Sequence, residues 1–308
     1  MTEAEPQAEH RDNNNDAENN ICQTTLGDVV RNELRERVDN RNWEDIAGRN
    51  FTKNLIREAA VWPLLRPDLF TGLRSVPKII MFSGPGSVAK KLLAECIAAE
   101  TSSSFFKLQC SSLLNKWSKQ GKDLLHELFE EAKRQQPSVI FVEEVESILW
   151  NAKEDNYTLA IKSAFRYQLE KVQDAEKVLV VLAILKPEKI SESERRLFGR
   201  SIIIPLPDQE DRLQILTRLL SKDKLDVEDE QMELISFLTE GFTETNLVMI
   251  CKKAAREPIK SAMNYGPGSF EIDLLRPIEY RDLQKAVDEL KEKSDLQDDE
   301  VLANWENN

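Results

Sequence analysis

Five short apolar runs punctuate the first two thirds of the chain: "KIIMFSG" (78–84), "FFKLQ" (105–109), "SVIFVEE" (138–144), "VLVVLAI" (178–184) and "SIIIPLP" (201–207). They are apolar at consecutive rather than alternate positions, which suits strands buried on both faces. Between them the apolar positions recur at helical spacing, in segments that begin near Lys90, Gly121, Tyr157 and Glu192. Strand and helix in alternation predict a parallel sheet with helices on both faces. Beyond Asp208 the strand pattern stops. "QEDRLQILTRLL", "VEDEQMELISFLTEG", "TETNLVMICKKAAREPI" and "EYRDLQKAVDELKEK" read as four helices. The pattern therefore predicts an α/β domain over 29–207, entered through an amphipathic linker helix in "TTLGDVVRNELRERV", and a helical domain over 208–290. Residues 1–28 are rich in Asn, Asp and Glu and read as a disordered acidic tail; 291–308 form a second acidic segment.

Composition narrows the functions this scaffold could serve. Of 308 residues, 41% are hydrophobic and 31% charged, ordinary for a globular protein. No apolar run approaches the roughly 20 residues that cross a bilayer, and the N-terminus lacks the pattern of a secretion signal. The chain is expected inside the cell, in cytoplasm, nucleus or both, and off the membrane. A formal net charge of −13 argues against direct nucleic-acid binding. Cys22, Cys96, Cys110 and Cys251 lie far apart, and only His10 and His126 accompany them. Buried free thiols are expected, not a zinc site.

The stretch "FSGPGSVAKKLL" (82–93) carries the candidate chemistry. A phosphate loop ends a strand with G-x-x-x-x-G-K-[ST] and opens a helix, so that backbone N–H groups and the helix N-terminus face the phosphates. Gly84, Pro85, Gly86, Ser87, Val88, Ala89, Lys90 and Lys91 occupy those eight places. Lys90 stands where the lysine reaches phosphate. The second glycine is Ala89, whose Cβ is tolerated only if its backbone is not left-handed. The metal-binding hydroxyl is Lys91, a cation where a cation would sit. About 50 residues on, "SVIFVEE" ends in paired carboxylates, Glu143 and Glu144.

The chain resembles the meiotic-clade AAA ATPases (katanin, spastin, fidgetin), and within them the fidgetin-like branch. The residues that carry the resemblance are "NWEDIAG" (42–48), "AVWPLLRPDLFTGL" (60–73), "FSGPGSVAKK" (82–91), "LLNKW" (113–117), "QQPSVIFVEEVESIL" (135–149), "SERRLFGRSIIIPLPD" (193–208), "GFTETNLVMICKKAA" (241–255) and "LRPIEYRDLQKAV" (275–287). The resemblance implies a P-loop NTPase domain of the AAA+ type followed by a helical lid, with ATP or ADP as candidate ligands. By position, Gly48 joins the phosphate loop in the nucleotide site, Glu144 matches the water-activating base, and Glu143 replaces the magnesium-side Asp with one extra methylene. Any magnesium site at Glu143 is therefore weak. Leu185 stands where the family has an Asn that orients water, and Glu244, Thr245 and Asn246 replace a Gly-Ala-Asp beside the nucleotide. Arg195 and Arg196 match arginine fingers that act on a neighbour's nucleotide, or are solvated arginines at a helix end. Lys116 and Trp117 match a pore loop that grips peptide, with a core-anchoring Trp117 as the alternative. Leu159 and Ala160 stand where a second pore loop has arginines.

Phosphoryl transfer rests on positioning and electrostatic stabilisation, and here metal, water and loop positions are altered together. The leading expectation is a pseudo-ATPase that works as a binding or regulatory subunit, in a homo- or hetero-oligomer with AAA relatives and on a protein partner; by family, a tubulin-like tail is one. Two alternatives stand: a slow ATP-hydrolysing remodeller, with Lys91 and Glu143 bridged to each other, and a switch that holds ATP or ADP without metal.

Overall fold

A computed structural model describes residues 26–38, 41–117, 120–149, 156–185, 187, 191–263 and 275–292. The tail at 1–25 and the segment 293–308 lie outside the described residues. The chain enters through α1 (Leu26–Val29), which runs on as a π turn over Val30–Leu34, and then forms β1 (Arg35–Glu36). A continuous helical stretch follows: α2 (Asn50–Ile56), a π turn over Arg57–Val61 and α3 (Trp62–Leu65). Next come β2 (Ile79–Ser83), α4 (Val88–Glu100), β3 (Ser104–Gln109), α5 (Cys110–Asn115) and α6 (Gly121–Arg134). The alternation closes with β4 (Ser138–Glu143), α7 (Glu146–Leu149), α8 (Asn156–Val172), β5 (Val178–Ile184), α9 (Glu192–Leu197) and β6 (Arg200–Ile203).

The sheet runs in the order β1-β3-β4-β5-β2-β6, parallel except for β1, which pairs antiparallel with β3 through Arg35↔Phe106 and Glu36↔Phe105. Alternate residues of each central strand feed opposite cores. Ile79, Met81, Ile140 and Val142 meet α6 and α8 on one face. Ile80, Phe82, Val139 and Phe141 meet α4 and the α2–α3 stretch on the other. Burial on both faces is why these runs are uninterruptedly apolar. Phe105 and Phe141 stack within the second core, with ring centroids 6.2 Å apart.

The predicted strands and helices lie close to where periodicity put them, with three corrections, the first being that the one helix expected over "TETNLVMICKKAAREPI" breaks at 255–256 into two. Arg35 and Glu36 leave the helical pattern to become the edge strand β1, because the unpaired edge of β3 offers backbone partners that a local pattern does not encode. Beyond Asp208 a strand pair does occur, β7 (Leu225–Asp226) against β8 (Ile278–Glu279), among α10 (Gln209–Leu220), α11 (Asp229–Leu238), α12 (Glu244–Ala254), α13 (Glu257–Met263) and a last helix over 280–292. These elements share their own core of Leu216, Ile235, Leu247, Ile250, Leu283 and Val287. Among the described residues Cys96, Cys110 and Cys251 are free and buried, and no helix is long and apolar enough to cross a membrane.

A paired charge pins the lid. Arg276 donates to both oxygens of Asp282, at 2.6 and 2.9 Å. Burial works to raise the Asp282 pKa, but the Arg276 hydrogen bond and the Glu279 backbone N–H outweigh it, so the carboxyl sits below its ordinary 3.8. A depressed folded-state pKa contributes stability that is full above the unfolded value and is lost as pH falls through the folded one. Asp282→Asn is expected to cost the lid about 1.5–3 kcal/mol near neutrality. The gap from wild type closes in acid, as urea melts from about pH 7 to about pH 2 will show.

Candidate nucleotide site

β2 ends at Ser83, and the next four residues turn the chain into α4. Gly84 has φ +128°, and a Cβ there would lie 2.2 Å from the Ile204 carbonyl oxygen, so β6 leaves room for glycine alone. Its N–H donates to the Ile184 carbonyl at 3.2 Å, which ties the loop to the end of β5. Gly86, at φ +75°, faces the lid: a Cβ there would sit 3.4 Å from Glu244 Oε2. Pro85 and Ser87 complete the turn, and Val88 opens the helix. Ala89 is helical and buried, so the missing second glycine costs no left-handed strain here.

The two lysines diverge. Lys90 is 4% exposed, and its Nζ donates to the carbonyls of Gly84 at 2.5 Å and Ile184 at 3.2 Å. Burial lowers its pKa, against the opposing pull of Glu146, Glu143 and Glu244. Lys91 turns instead to the edge strand, 2.9 Å from Glu36 Oε2 and 3.5 Å from Glu95 Oε1. Burial acts to lower its pKa, but the two carboxylates win and raise it. The bridge between Lys91 and Glu143 is overturned: Glu143 pairs with Lys107 on β3 at 2.8 Å. Glu144, just past β4, has φ +55° and accepts from Gln109 Nε2 at 2.9 Å, in the open. Leu185 is 53% exposed, and its backbone N–H donates to Glu146.

A cavity of about 650 Å³ opens between the P-loop helix, the "NWEDIAG" stretch and the lid. Ile46, Ala47, Ala89, Leu92, Ile215 and Val248 give it apolar walls, and Arg41, Arg49, Arg218 and Lys222 give it basic ones. Gly48, between the lining residues Ala47 and Arg49, has φ +50° and is packed on Asp211 of α10 instead of lining the cavity. At the end nearest the phosphate loop Glu244, in the first turn of α12, is ion-paired with Arg49; their side chains are 9% and 2% exposed. Arg49 also donates to the Pro205 carbonyl, at 3.1 Å from Nη2 and 3.3 Å from Nε.

The apolar walls suit a planar base. The metal end does not fit Mg²⁺. Lys91 is a cation and gives Mg²⁺ no ligand, and the Glu143 carboxylate is taken by Lys107. Away from the cavity, Lys116 pairs with Glu33 at 2.6 Å and lies over the ring of Trp117, 4.9 Å from its centroid. Trp117 is half-buried against the core under α6. α9 carries both arginines: Arg196 is exposed, and the Arg195 side chain lies outside the described residues. Leu159 on α8 is 41% exposed, and Ala160 beside it is exposed as well. Sequence reasoning missed Arg49, Lys107, Glu36 and Glu146, each of which meets its partner across a distance that local motifs do not span.

The profile described as "ATPase family associated with various cellular activities (AAA)" matches residues 80–206, from β2 through the end of the sheet. The crystal structure of the FIGL-1 AAA domain in complex with ADP is 31% identical and superposes with a TM-score of 0.77, covering 91% of this chain and 91% of that one. The chain belongs to the fidgetin-like AAA family. Fidgetin-like protein 1 of Homo sapiens is 35% identical over 90% of this chain and 42% of its own length; fidgetin of Mus musculus is 32% identical over 92% and 38%. This fidgetin-like chain thus spans about two fifths of the length of those relatives. A structure concerned with katanin self-assembly, 26% identical, superposes with a TM-score of 0.73 over 85% of this chain and 90% of that one.

Proposed function

We propose that this chain is a fidgetin-like AAA module that has lost most or all ATP hydrolysis and acts as a binding or regulatory subunit within AAA assemblies. One observation carries the reading: the two side chains at the metal positions are each held by another partner, Lys91 by Glu36 and Glu143 by Lys107. In-line phosphoryl transfer without a metal or an oriented water loses its main electrostatic supports. Leu185, an alkyl group at the place where the family orients water, removes a second. The ADP complex of the FIGL-1 domain supports retention of a base pocket, and the katanin self-assembly structure supports a place in an oligomer. Within such an oligomer Arg195 and Arg196 on α9 act on a neighbour's nucleotide, and Lys116 with Trp117 contacts a protein partner.

The test is steady-state ATP hydrolysis by the purified chain over a range of concentrations, with Glu144→Gln as the matched control. Turnover at the control's level is expected. Magnesium-dependent turnover that vanishes in the control would establish a slow remodelling ATPase instead. Mixing with an active fidgetin-like relative is expected to give joint assemblies; failure to associate at concentrations where the relative assembles would remove the subunit role.

A further inference from the structure

The cations at the phosphate loop and at the metal positions are answered from within the chain. Lys90 is taken by two carbonyls, Lys91 by Glu36 and Glu95, and Lys107 by Glu143. The fourth case differs, because its partners come from opposite sides of the cavity. Arg49 sits on the stretch that leads from "NWEDIAG" into α2, in a left-handed conformation at φ 52°, and Glu244 sits on the lid. Both side chains are more than nine-tenths buried. Glu244 Oε2 faces Gly86 of the phosphate loop, and the carboxylate is close enough to act on the Lys90 ammonium.

We infer that the Glu244 carboxylate is a resident anion in this cavity: paired with Arg49, it takes the phosphate end, latches the lid onto the phosphate loop, and must be displaced before a nucleoside triphosphate can enter. This deepens the proposed function, on whose nucleotide cavity it rests. A helix N-terminus beside a glycine loop attracts anions, and here α12 and the loop share one supplied by the chain itself. A polyanion approaching Gly86 meets a like charge, and the arginine that would attract it is already bound. The cavity's base end is unaffected, so the latch selects against the phosphate tail and not against the base.

Removing the negative charge while keeping shape should turn the latch into an anion site. With Glu244→Gln, Arg49 is freed to face incoming phosphate, and a fluorescent ribose-substituted ATP, titrated in chelator, is expected to bind about tenfold tighter than to wild type. Arg49→Met with Glu244→Gln should return affinity to the wild-type level. Hydrogen exchange without added nucleotide should show faster exchange at 46–49 and 243–247 in Glu244→Gln than in wild type. If Glu244→Gln does not fold, Glu244→Gly, whose helix keeps its Thr243 cap, carries the same expectations. A gain under threefold, with exchange unchanged, overturns the latch. An equal gain in the single and double variants overturns the role of Arg49, leaving charge repulsion by Glu244 alone. Failure of the pseudo-ATPase reading is seen separately, as Glu144-dependent turnover in the wild-type chain, and leaves the binding result standing.

Discussion

Gly48→Ala lowers the melting temperature by about 10 °C, the fall that roughly 2–4 kcal/mol produces in a domain of this size. Two effects add. Gly48 has φ +50°, where an L side chain is strained, and a Cβ built there lies 1.5 Å from Asp211 Oδ1 and 2.4 Å from Asp211 Cγ. Asp211 has little room to retreat, being 5% exposed and locked in the capping box that opens α10, where its N–H donates to Asp208 Oδ1 at 2.8 Å. Burial, then the neighbouring Asp208 charge, already pushes its carboxyl above the usual range, so further crowding falls on a group that is poorly solvated. Gly72 provides the control. Its φ is +58° with nothing within 4 Å, so Gly72→Ala isolates the backbone strain and is expected to cost about 1 kcal/mol. Adding Asp211→Ala to Gly48→Ala should recover the part due to the clash. Equal losses at Gly48 and Gly72 would show that the contact with the lid is soft.

The prediction depends on a contact between residues 48 and 211 that the sequence does not disclose, and this marks where sequence reading stops. β2, β4 and β5 were legible because they are buried on both faces along nearly their whole length, whereas β3 and the edge strand β6 were legible from their apolar runs although Gln109 and Ile203 are exposed. The phosphate loop was legible because its function depends on consecutive residues at one strand-helix junction. β1 was not: "RNELRERV" keeps helical periodicity, and only the free edge of β3 draws Arg35 and Glu36 into a strand. The two-residue pair β7–β8 likewise has no local pattern and is made by register alone. In the site, the motif places Glu244 where the family has a small residue beside the nucleotide, but its partner Arg49 lies 195 residues earlier. Lys91 and Glu143 were imagined as a pair because their motifs adjoin. The fold instead gives each a nearer partner: Glu95 lies one helical turn from Lys91, with Glu36 on the edge strand, and Lys107 lies on the strand paired with β4. Adjacency of motifs fixed the neighbourhood and left the choice of partner to side-chain geometry.

That choice of partners makes the metal end a place where chemistry can be restored stepwise. In the Glu244→Gln background, Lys91→Thr with Glu143→Asp is expected to make ATP affinity depend on magnesium, about 10- to 100-fold tighter with the ion than in chelator, where the unsubstituted positions show no such difference. Lys91→Thr replaces a side chain that turns to the edge strand with the hydroxyl that P-loops use for Mg²⁺. Glu143→Asp shortens the carboxylate by one methylene and draws it back from Lys107, so that it can serve the ion from the strand end. Lys91 also ties α4 to the edge strand through Glu36 and Glu95, so the variant is expected to lose about 1 kcal/mol of stability, read by urea titration. Hydrolysis should stay at the Glu144→Gln level even with the metal bound, because Leu185 still offers an alkyl group where the attacking water needs a polar partner. Adding Leu185→Asn is then the step at which turnover should appear. If magnesium dependence is already present in the chain with Lys91 and Glu143 intact, the ion pairs at Glu36 and Lys107 open readily, and the proposed loss of hydrolysis would rest on water positioning alone.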